Sequence, residues 1–357
     1  MDHASRKKEL AGKAQTVLGP VEPADLGITL MHEHLLSYAP HVAKEPAEAS
    51  QRARFRELVG LDNLGDIRFS GLLNLDNCRL DDVETAIDEA GLFKLAGGST
   101  IVEATSIGIG RDPCGLARIA RATGLNVVMG ASYYVDETHP PDRRVAERRE
   151  DEIVDEIARD VLDGADGTDV RAGFIGEVGC SWPLTDNERK VLRASGRAQR
   201  LTGAPLMIHP GRGREAPLEI VEVLREVDTD LGRTIMCHVE RTLDREDDVK
   251  QLAETGCILE YDLFGYENSY YPWDLEVDMP TDAQRLHRIR WLISEGFGER
   301  LVISQDVYFK YKLARYGGHG YAHILKNVVP MMRRQGFSEE EIQTILVDTP
   351  RRYLTFA

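Results

Sequence analysis

From residue 97 onward, short β-branched runs alternate with longer amphipathic stretches, and this alternation is the strongest constraint on the fold. GGSTIVEAT, GLNVVMGAS, VRAGFIGEVG, GAPLMIHP, RTIMCHVE, GCILEYD and RLVISQD have the near-continuous apolar character of strands buried on both faces. Between them, helical periodicity predicts helices over 113–123, 145–162, 186–201, 217–227, 246–255 and 283–294. Gly124, Gly203, Gly256 and Gly298 stand at joints where a helix C-cap suits glycine. LGITLMHEH supplies one strand before these seven, and eight strands with interleaved helices predict a (β/α)8 TIM barrel of the α/β class. The competing fold is an open doubly wound sheet, which calls for a GxGxxG turn after an early strand; that motif is absent. Residues 37–80 break the rhythm and read as an insertion covering the exit of the first strand. With no fixed-period repeat, low-complexity tract or linker, residues 1–357 are expected to form a single domain.

His32 and His34 stand two apart at the end of the first strand, a spacing that puts both imidazoles on one face. An HxH pair alone recurs by chance. Its weight comes from four other residues: Glu177 ends GFIGE, His209 ends PLMIH, His238 ends TIMCH, and Asp306 follows LVISQ. All six fall at the C-terminal ends of strands, the face on which TIM barrels build active sites. Four imidazoles and two carboxylates suit a pair of divalent ions, Zn2+ first, with Mn2+, Co2+ or Fe2+ as alternatives. Six ligands exceed the need of one ion, and a bidentate carboxylate at the centre would bridge two. Such a pair acidifies a bridging water and polarises the bond under attack.

Other histidines are discounted. His319 and His323 lie i,i+4 on an expected helix, GGHGYAHIL, without the glutamate of a zincin, and read as a packed pair. His3, His41, His139 and His287 read as ordinary surface or loop residues. Cys237 is expected to point to the opposite face of its strand from His238, into the outer core. No GxSxG elbow supports a serine nucleophile.

A formal charge of -16 without a basic stripe argues against nucleic acid or an anionic membrane as partner. Five dispersed cysteines without a CxxC pair fit a reducing compartment. No signal-like N-terminus and no apolar run of about 18 residues is present, so a cytoplasmic protein is expected.

TVLGPVEPADLGITLMHEHL, IGEVGCSWPLTDNERKVL, PLMIHPGR and YGGHGYAHIL resemble the phosphotriesterase-related branch of the amidohydrolase superfamily, some members of which are labelled resiniferatoxin-binding. The resemblance runs from about residue 15 to 354. It implies a TIM barrel and a homodimer, with His32 and His34 on one metal and His209 and His238 on the other. It further implies that Glu177 bridges the two, and that Asp306 completes the first ion's shell and takes the proton from the bridging hydroxide. One departure matters. Relatives that cleave phosphotriesters and lactones bridge their metals with a carbamylated lysine in a segment resembling AGIIK; here the segment is AGFIGE, and the lysine position falls on Gly176. Glutamate is shorter, so the backbone must approach more closely, which Gly176 permits through a bulge. The GE pair also resembles the GEIG motif of TatD-type metal hydrolases, in which the glutamate is a ligand.

The loops after the strands are expected to line the pocket. Tyr133, Tyr134, Tyr261, Trp273 and Tyr308 offer apolar wall, and Arg212, Arg214 and Lys310 would meet a carboxylate, sulfonate or phosphate on a small-molecule substrate. Three functions follow. The first is a binuclear metal-dependent hydrolase directing a metal-bridged hydroxide at a small carboxylic amide, ester or lactone, including N-acyl amino acids. The second is a phosphotriesterase, which the missing lysine weakens. The third is a small-ligand binding protein without turnover, which has no use for a proton-accepting aspartate.

Overall fold

The computed structural model describes residues 3–43, 45–70, 74–267, 271, 273–274 and 277–357. Eight parallel strands form one sheet in the order of the chain: β1 (Thr29–Glu33), β2 (Thr100–Glu103), β3 (Asn126–Ala131), β4 (Phe174–Gly179), β5 (Leu206–His209), β6 (Thr234–Met236), β7 (Ile258–Tyr261) and β8 (Leu301–Ile303). These are the eight strands of the sequence reading, and the architecture is a (β/α)8 barrel. Outward side chains such as Leu30, Ile101, Val127, Ile175 and Leu259 pack under the helices. Inward ones such as Met31, Val102, Phe174, Met207 and Val302 fill the barrel. Burial on both faces is why the strands read as apolar runs without polar alternation.

The helices follow the predicted segments: α1 (Val83–Leu95), α2 (Pro113–Thr123), α3 (Glu150–Leu162), α4 (Asp186–Thr202), α5 (Ala216–Arg225), α6 (Glu246–Glu254) and α7 (Asp282–Ser294). The first of these lay outside the predicted set. Thr185 and Glu188 form a capping box that starts α4, and Gly203, left-handed at φ 78°, ends it. The expected helix over 145–162 starts late, at Glu150. Arg144 is left-handed (φ 47°) and Arg149 extended, so 145–147 forms only a separate 3-10 turn. Gly298 is not a cap either: it opens a 3-10 turn, and Gly296 carries the positive φ after α7.

The insertion is pinched at its base by a short antiparallel pairing, Ser37 with Leu80 and Tyr38 with Arg79. Within it lie the helices Ala49–Phe55 and Leu64–Ser70; Gly71, at the end of the LVGLDNLGDIRFSG stretch, falls outside the described residues. Val59, Ile67 and Cys78 pack against Leu263, Tyr266, Tyr271 and Phe309, so the insertion sits on the loops that leave β7 and β8. At the other end of the barrel, Ala14, Leu26, Tyr353 and Leu354 join the interior cluster, and the Tyr353 hydroxyl donates to Leu206 O at 2.6 Å. Burying a side chain such as Leu354 there contributes about 1.5–3 kcal/mol. The chain's two ends therefore plug the N-terminal mouth, and the insertion covers the C-terminal one.

No ladder joins β8 to β1. The Asp306 amide donates to His32 O at 3.1 Å, and the His32 amide donates to Ser304 Oγ at 3.0 Å. One backbone bond and one bond to a side chain thus complete the ring at this seam. Among the described residues, no helix is long and apolar enough to cross a membrane.

Candidate metal centre

Two irregularities aim the strands at one point. In β1 the register against β2 shifts between Leu30 and Glu33, so one residue is extra. Met31 can then face the barrel interior while His32 and His34 both still reach the centre. In β4 the register against β5 shifts between Ile175 and Val178, which leaves Gly176 as the extra residue. A Cβ on Gly176 would stand 2.3 Å from Met207 O, and its φ is 134°. Only glycine fits this close approach, and Glu177 is thereby turned inward. His238 and Asp306 follow their strands in left-handed conformations (φ 53° and 46°) that redirect their side chains.

The six residues converge as a buried cluster. Glu177 Oε1 lies 3.6 Å from His34 Nε2, and Glu177 Oε2 lies 2.9 Å from His209 Nδ1, 3.5 Å from His32 Nε2 and 3.6 Å from His238 Nε2. Asp306 Oδ1 is 3.2 Å from His34 Nε2 and 3.8 Å from His32 Nε2. His32 Nδ1 donates to Glu260 Oε2 at 3.2 Å, and His238 Nδ1 donates to Asp262 Oδ1 at 2.7 Å. His34 Nδ1 meets Thr105 Oγ1 at 2.8 Å. With those nitrogens occupied, the three Nε2 atoms face the centre, the tautomer and orientation that metal-binding histidines require. His209 is arranged differently: its Nε2 faces the Arg241 guanidinium at 3.2 Å, and its Nδ1 faces Glu177.

Burial pushes the Glu177 carboxyl upward, yet the rings of His32 and His209 hold it well below the usual carboxylate range. Asp306 is lowered likewise, with His34 and His32 outweighing its burial. Burial drives His209 well below the ordinary imidazole value, so it is neutral. The buried His32 Nε2 and Asp306 Oδ1 have no hydrogen-bond partner. Two orphaned, mutually facing ligand atoms in a buried cluster are what a cation would satisfy. His32, His34 and Asp306 could hold one ion, and His32, Glu177 and His238 also place their ligand atoms within 4.8 Å of one another.

Above the cluster opens a cavity lined by His34, His41, Ile109, Tyr134, Arg212, Arg241, Tyr271, Trp273 and Tyr308. The sequence-predicted pocket residues divide here. Tyr134 and Arg212 line the cavity, with the Tyr134 hydroxyl 3.2 Å from His209 Nε2. Trp273 and Tyr308 line it too, while residues 268–270 and 272 of the loop that carries Trp273 lie outside the described residues. Tyr133 points into the outer core, where its hydroxyl donates to Glu156 at 2.7 Å. Tyr261 faces a separate crevice beside Glu240 and Arg288. Arg214 pairs with Asp248 at the surface, and Lys310 pairs with Asp76. These four do not border the cavity.

Three further expectations need correcting. Cys237 is inside the barrel with Met31 and Ile235, because the strand's alternation continues through it and only the left-handed His238 breaks step. His319 is not on a helix: Gly317 and Gly320 have positive φ, and the helical turns begin at His323. The two rings do stack, 4.1 Å apart, and His323 Nε2 donates to Asp282 at 2.7 Å. His41, read as an ordinary loop residue, reaches the cavity wall because the insertion carries it there.

Sequence reasoning missed Glu33, Glu260, Asp262, Arg241 and Lys312. Glu260 and Asp262 had a signal, since GCILEYD ends in two carboxylates at the same strand end as the other ligands. Lys312 had none: its Nζ donates to Asp306 O at 2.8 Å and lies over the rings of Tyr266 and Tyr308 at 4.8 and 4.9 Å. Burial lowers its ammonium to about 8.

Residues 12–354 match the model of a family described as "Phosphotriesterase family". An N-acetyltaurine hydrolase of Dictyostelium discoideum is 43% identical, the alignment covering 97% of this chain and 99% of that one. The human N-acetyltaurine hydrolase is 42% identical with the same coverage. The crystal structure of a resiniferatoxin-binding protein from Rhodobacter sphaeroides superposes with a TM-score of 0.92 at 38% identity, covering 96% of this chain and 95% of that one.

Proposed function

The chain belongs to the phosphotriesterase family, and from that premise we propose that it is a metal-dependent amide hydrolase acting on a small N-acyl amine with an anionic head, as N-acetyltaurine has. The observation that carries the reading is the position of Glu177. One carboxylate oxygen faces His34 and the other faces His209, His238 and His32, so a single side chain spans two ligand sets. His32, His34 and Asp306 would hold one divalent ion and His209 and His238 a second, with Glu177 shared between the two sets. Zn2+ suits the imidazole-rich set best. When bound, the two ions acidify a water and polarise the amide carbonyl.

The protein's own part is positional. Glu260 and Asp262 fix the tautomers of His32 and His238 by accepting from their Nδ1–H groups. Asp306 stays ionised among the imidazoles, and its Oδ1 accepts no hydrogen bond. Both features support Asp306 as the group that would take the proton of the attacking water and return it to the departing amine nitrogen as the C–N bond breaks. The insertion and the aromatic wall of Tyr271, Trp273 and Tyr308 bound the cavity on the side away from the ligand cluster, which favours a small substrate.

The test is metal analysis of the purified protein followed by a panel of N-acetyltaurine, N-acyl amino acids, lactones and a neutral phosphotriester. Release of free amine from the N-acyl compounds is expected. Turnover confined to the phosphotriester would sink the amide reading.

A further inference from the structure

Of the two guanidiniums that line the cavity, Arg212 keeps its terminal nitrogens uncommitted among the described residues. Arg212 donates through Nε to the Tyr271 hydroxyl at 2.9 Å, and its guanidinium carbon lies 5.7 Å from the Tyr271 ring centroid and 5.5 Å from that of Trp273. The groups that act on its charge are burial and the hydroxyls of Tyr271, Tyr134 and Tyr308. Among the described residues, no aspartate or glutamate forms an ion pair with it. Arg241, the other guanidinium lining the cavity, also forms no ion pair among the described residues, but it is committed to His209 Nε2 and Pro210 O at 3.2 and 3.0 Å. Outside the cavity, Arg214 has Asp248 and Lys310 has Asp76. A guanidinium sheltered between aromatic rings and lacking a counter-charge is poised for an anion that arrives with the substrate.

Two more groups point the same way. The indole Nε1 of Trp273 is a buried donor with no acceptor. His41 lines the same cavity on the side of the insertion, where burial and the nearby Arg212 keep its imidazole neutral, lowered to about 4. With Nε committed to Tyr271, Arg212 retains its two terminal nitrogens. Those two can grip two oxygens of an anion, and the indole N–H is left for a third. A carboxylate has only two oxygens to offer, whereas a sulfonate has three.

The geometry points to Arg212, Trp273 and His41 as an oxyanion subsite that selects a tetrahedral sulfonate over a planar carboxylate on the amine half of the substrate. This rests on the amide-hydrolase reading for its place in turnover, but anion binding itself needs no turnover.

Calorimetry on the metal-loaded full chain tests it with ethanesulfonate, propanoate and the neutral ethyl methyl sulfone. Ethanesulfonate should bind about tenfold more tightly than propanoate, and the sulfone should give no heat; each tenfold step is about 1.4 kcal/mol. Arg212→Gln should weaken ethanesulfonate about 30- to 100-fold, the range for a charge-assisted pair. Arg212→Lys should recover only part of this, because an ammonium lacks the two-nitrogen edge. Trp273→Phe keeps an aromatic shelf and removes the N–H, so the sulfonate-to-carboxylate ratio should fall towards one. Wild-type affinity in Arg212→Gln, or an unchanged ratio in Trp273→Phe, would overturn the assignment. Should Arg212→Gln fail to fold, Arg212→Lys and Trp273→Phe decide it. Intact ethanesulfonate binding without amide turnover would remove the hydrolase reading and leave the subsite standing.

Discussion

Ser304 Oγ donates to Glu33 Oε1 at 2.7 Å while accepting the backbone N–H of His32 at 3.0 Å. One hydroxyl therefore ties the backbone of the first strand to the side chain of its next residue, across the seam where the ladder is missing. Glu33 also accepts from Gln305 N and Gln305 Nε2 at 3.0 Å each and, through Oε2, from Val307 N at 3.0 Å. It stands between His32 and His34 in sequence and brackets Asp306 in space. The residue between the two histidines is thus the one that fixes the loop bearing the aspartate.

Glu33→Gln puts an amide NH2 against one of these donors and leaves at least one buried N–H or O–H without an acceptor. The cost is about 1–3 kcal/mol, a fall in Tm of about 2–6 °C. A larger fractional loss of kcat than of metal affinity should accompany it, read by thermal melts and steady-state kinetics. An unchanged Tm would show that Glu33 does not hold the seam.

Metal loading should be indifferent to bicarbonate. Glu177 is a carboxylate as synthesised, and no lysine stands in AGFIGE to take up CO2. Reconstitution of metal-free protein with and without bicarbonate, followed by metal analysis, checks this; a bicarbonate requirement would exclude Glu177 as the bridge.

Asp306→Asn keeps the shape of the side chain and removes its basicity. Turnover should fall about 10²- to 10⁴-fold, as for loss of a general base, with metal still detectable. Near-normal kcat would take Asp306 out of the proton transfer.

Asp262 accepts from both the ring and the backbone amide of His238. Asp262→Ala should lower metal affinity about 10- to 100-fold, the scale for losing the partner that orients a ligating imidazole. Competition with a chromophoric chelator measures it, and affinity equal to wild type would refute the positioning role.

His41 gives a pH signature. Burial and then Arg212 lower its folded value to about 4, below the unfolded value of 6.5. A depressed folded value contributes stability above pH 6.5 that is lost as pH falls through about 4. The wild type should therefore lose more Tm between pH 6.5 and 4 than His41→Asn, and NMR should show Arg212→Gln raising the His41 midpoint. A midpoint near 6.5 in the wild type would contradict the burial of the ring.

The barrel and the six convergent residues were legible because both depend on local pattern. Strands buried on two faces are apolar runs, and the candidate ligands at their ends follow directly from those runs. The bulge at Gly176 was readable because a shorter side chain demanded a closer backbone. What escaped depends on how loops turn back on themselves or fold over distant elements. Nothing near residue 312 indicates that its amine will meet the Asp306 carbonyl, and nothing near His41 shows that an insertion of unclear periodicity will fold back over the mouth. Tyr133 and Tyr261 were misplaced because an aromatic residue at a strand end can face the helices as readily as the cavity. Cys237 was misplaced because one left-handed residue, His238, breaks the alternation on which the inference relied.

The seam between β8 and β1 makes site assembly and ring closure one event. His32 and His34 come from the first strand and Asp306 from just past the last, some 270 residues later in synthesis. A nascent chain still short of residue 306 has most of its barrel but only part of its ion-binding set. With Asp306 in the proposed ligand set, full cation affinity would require the final strand to have docked, and a scarce metal would then be withheld from unfinished copies.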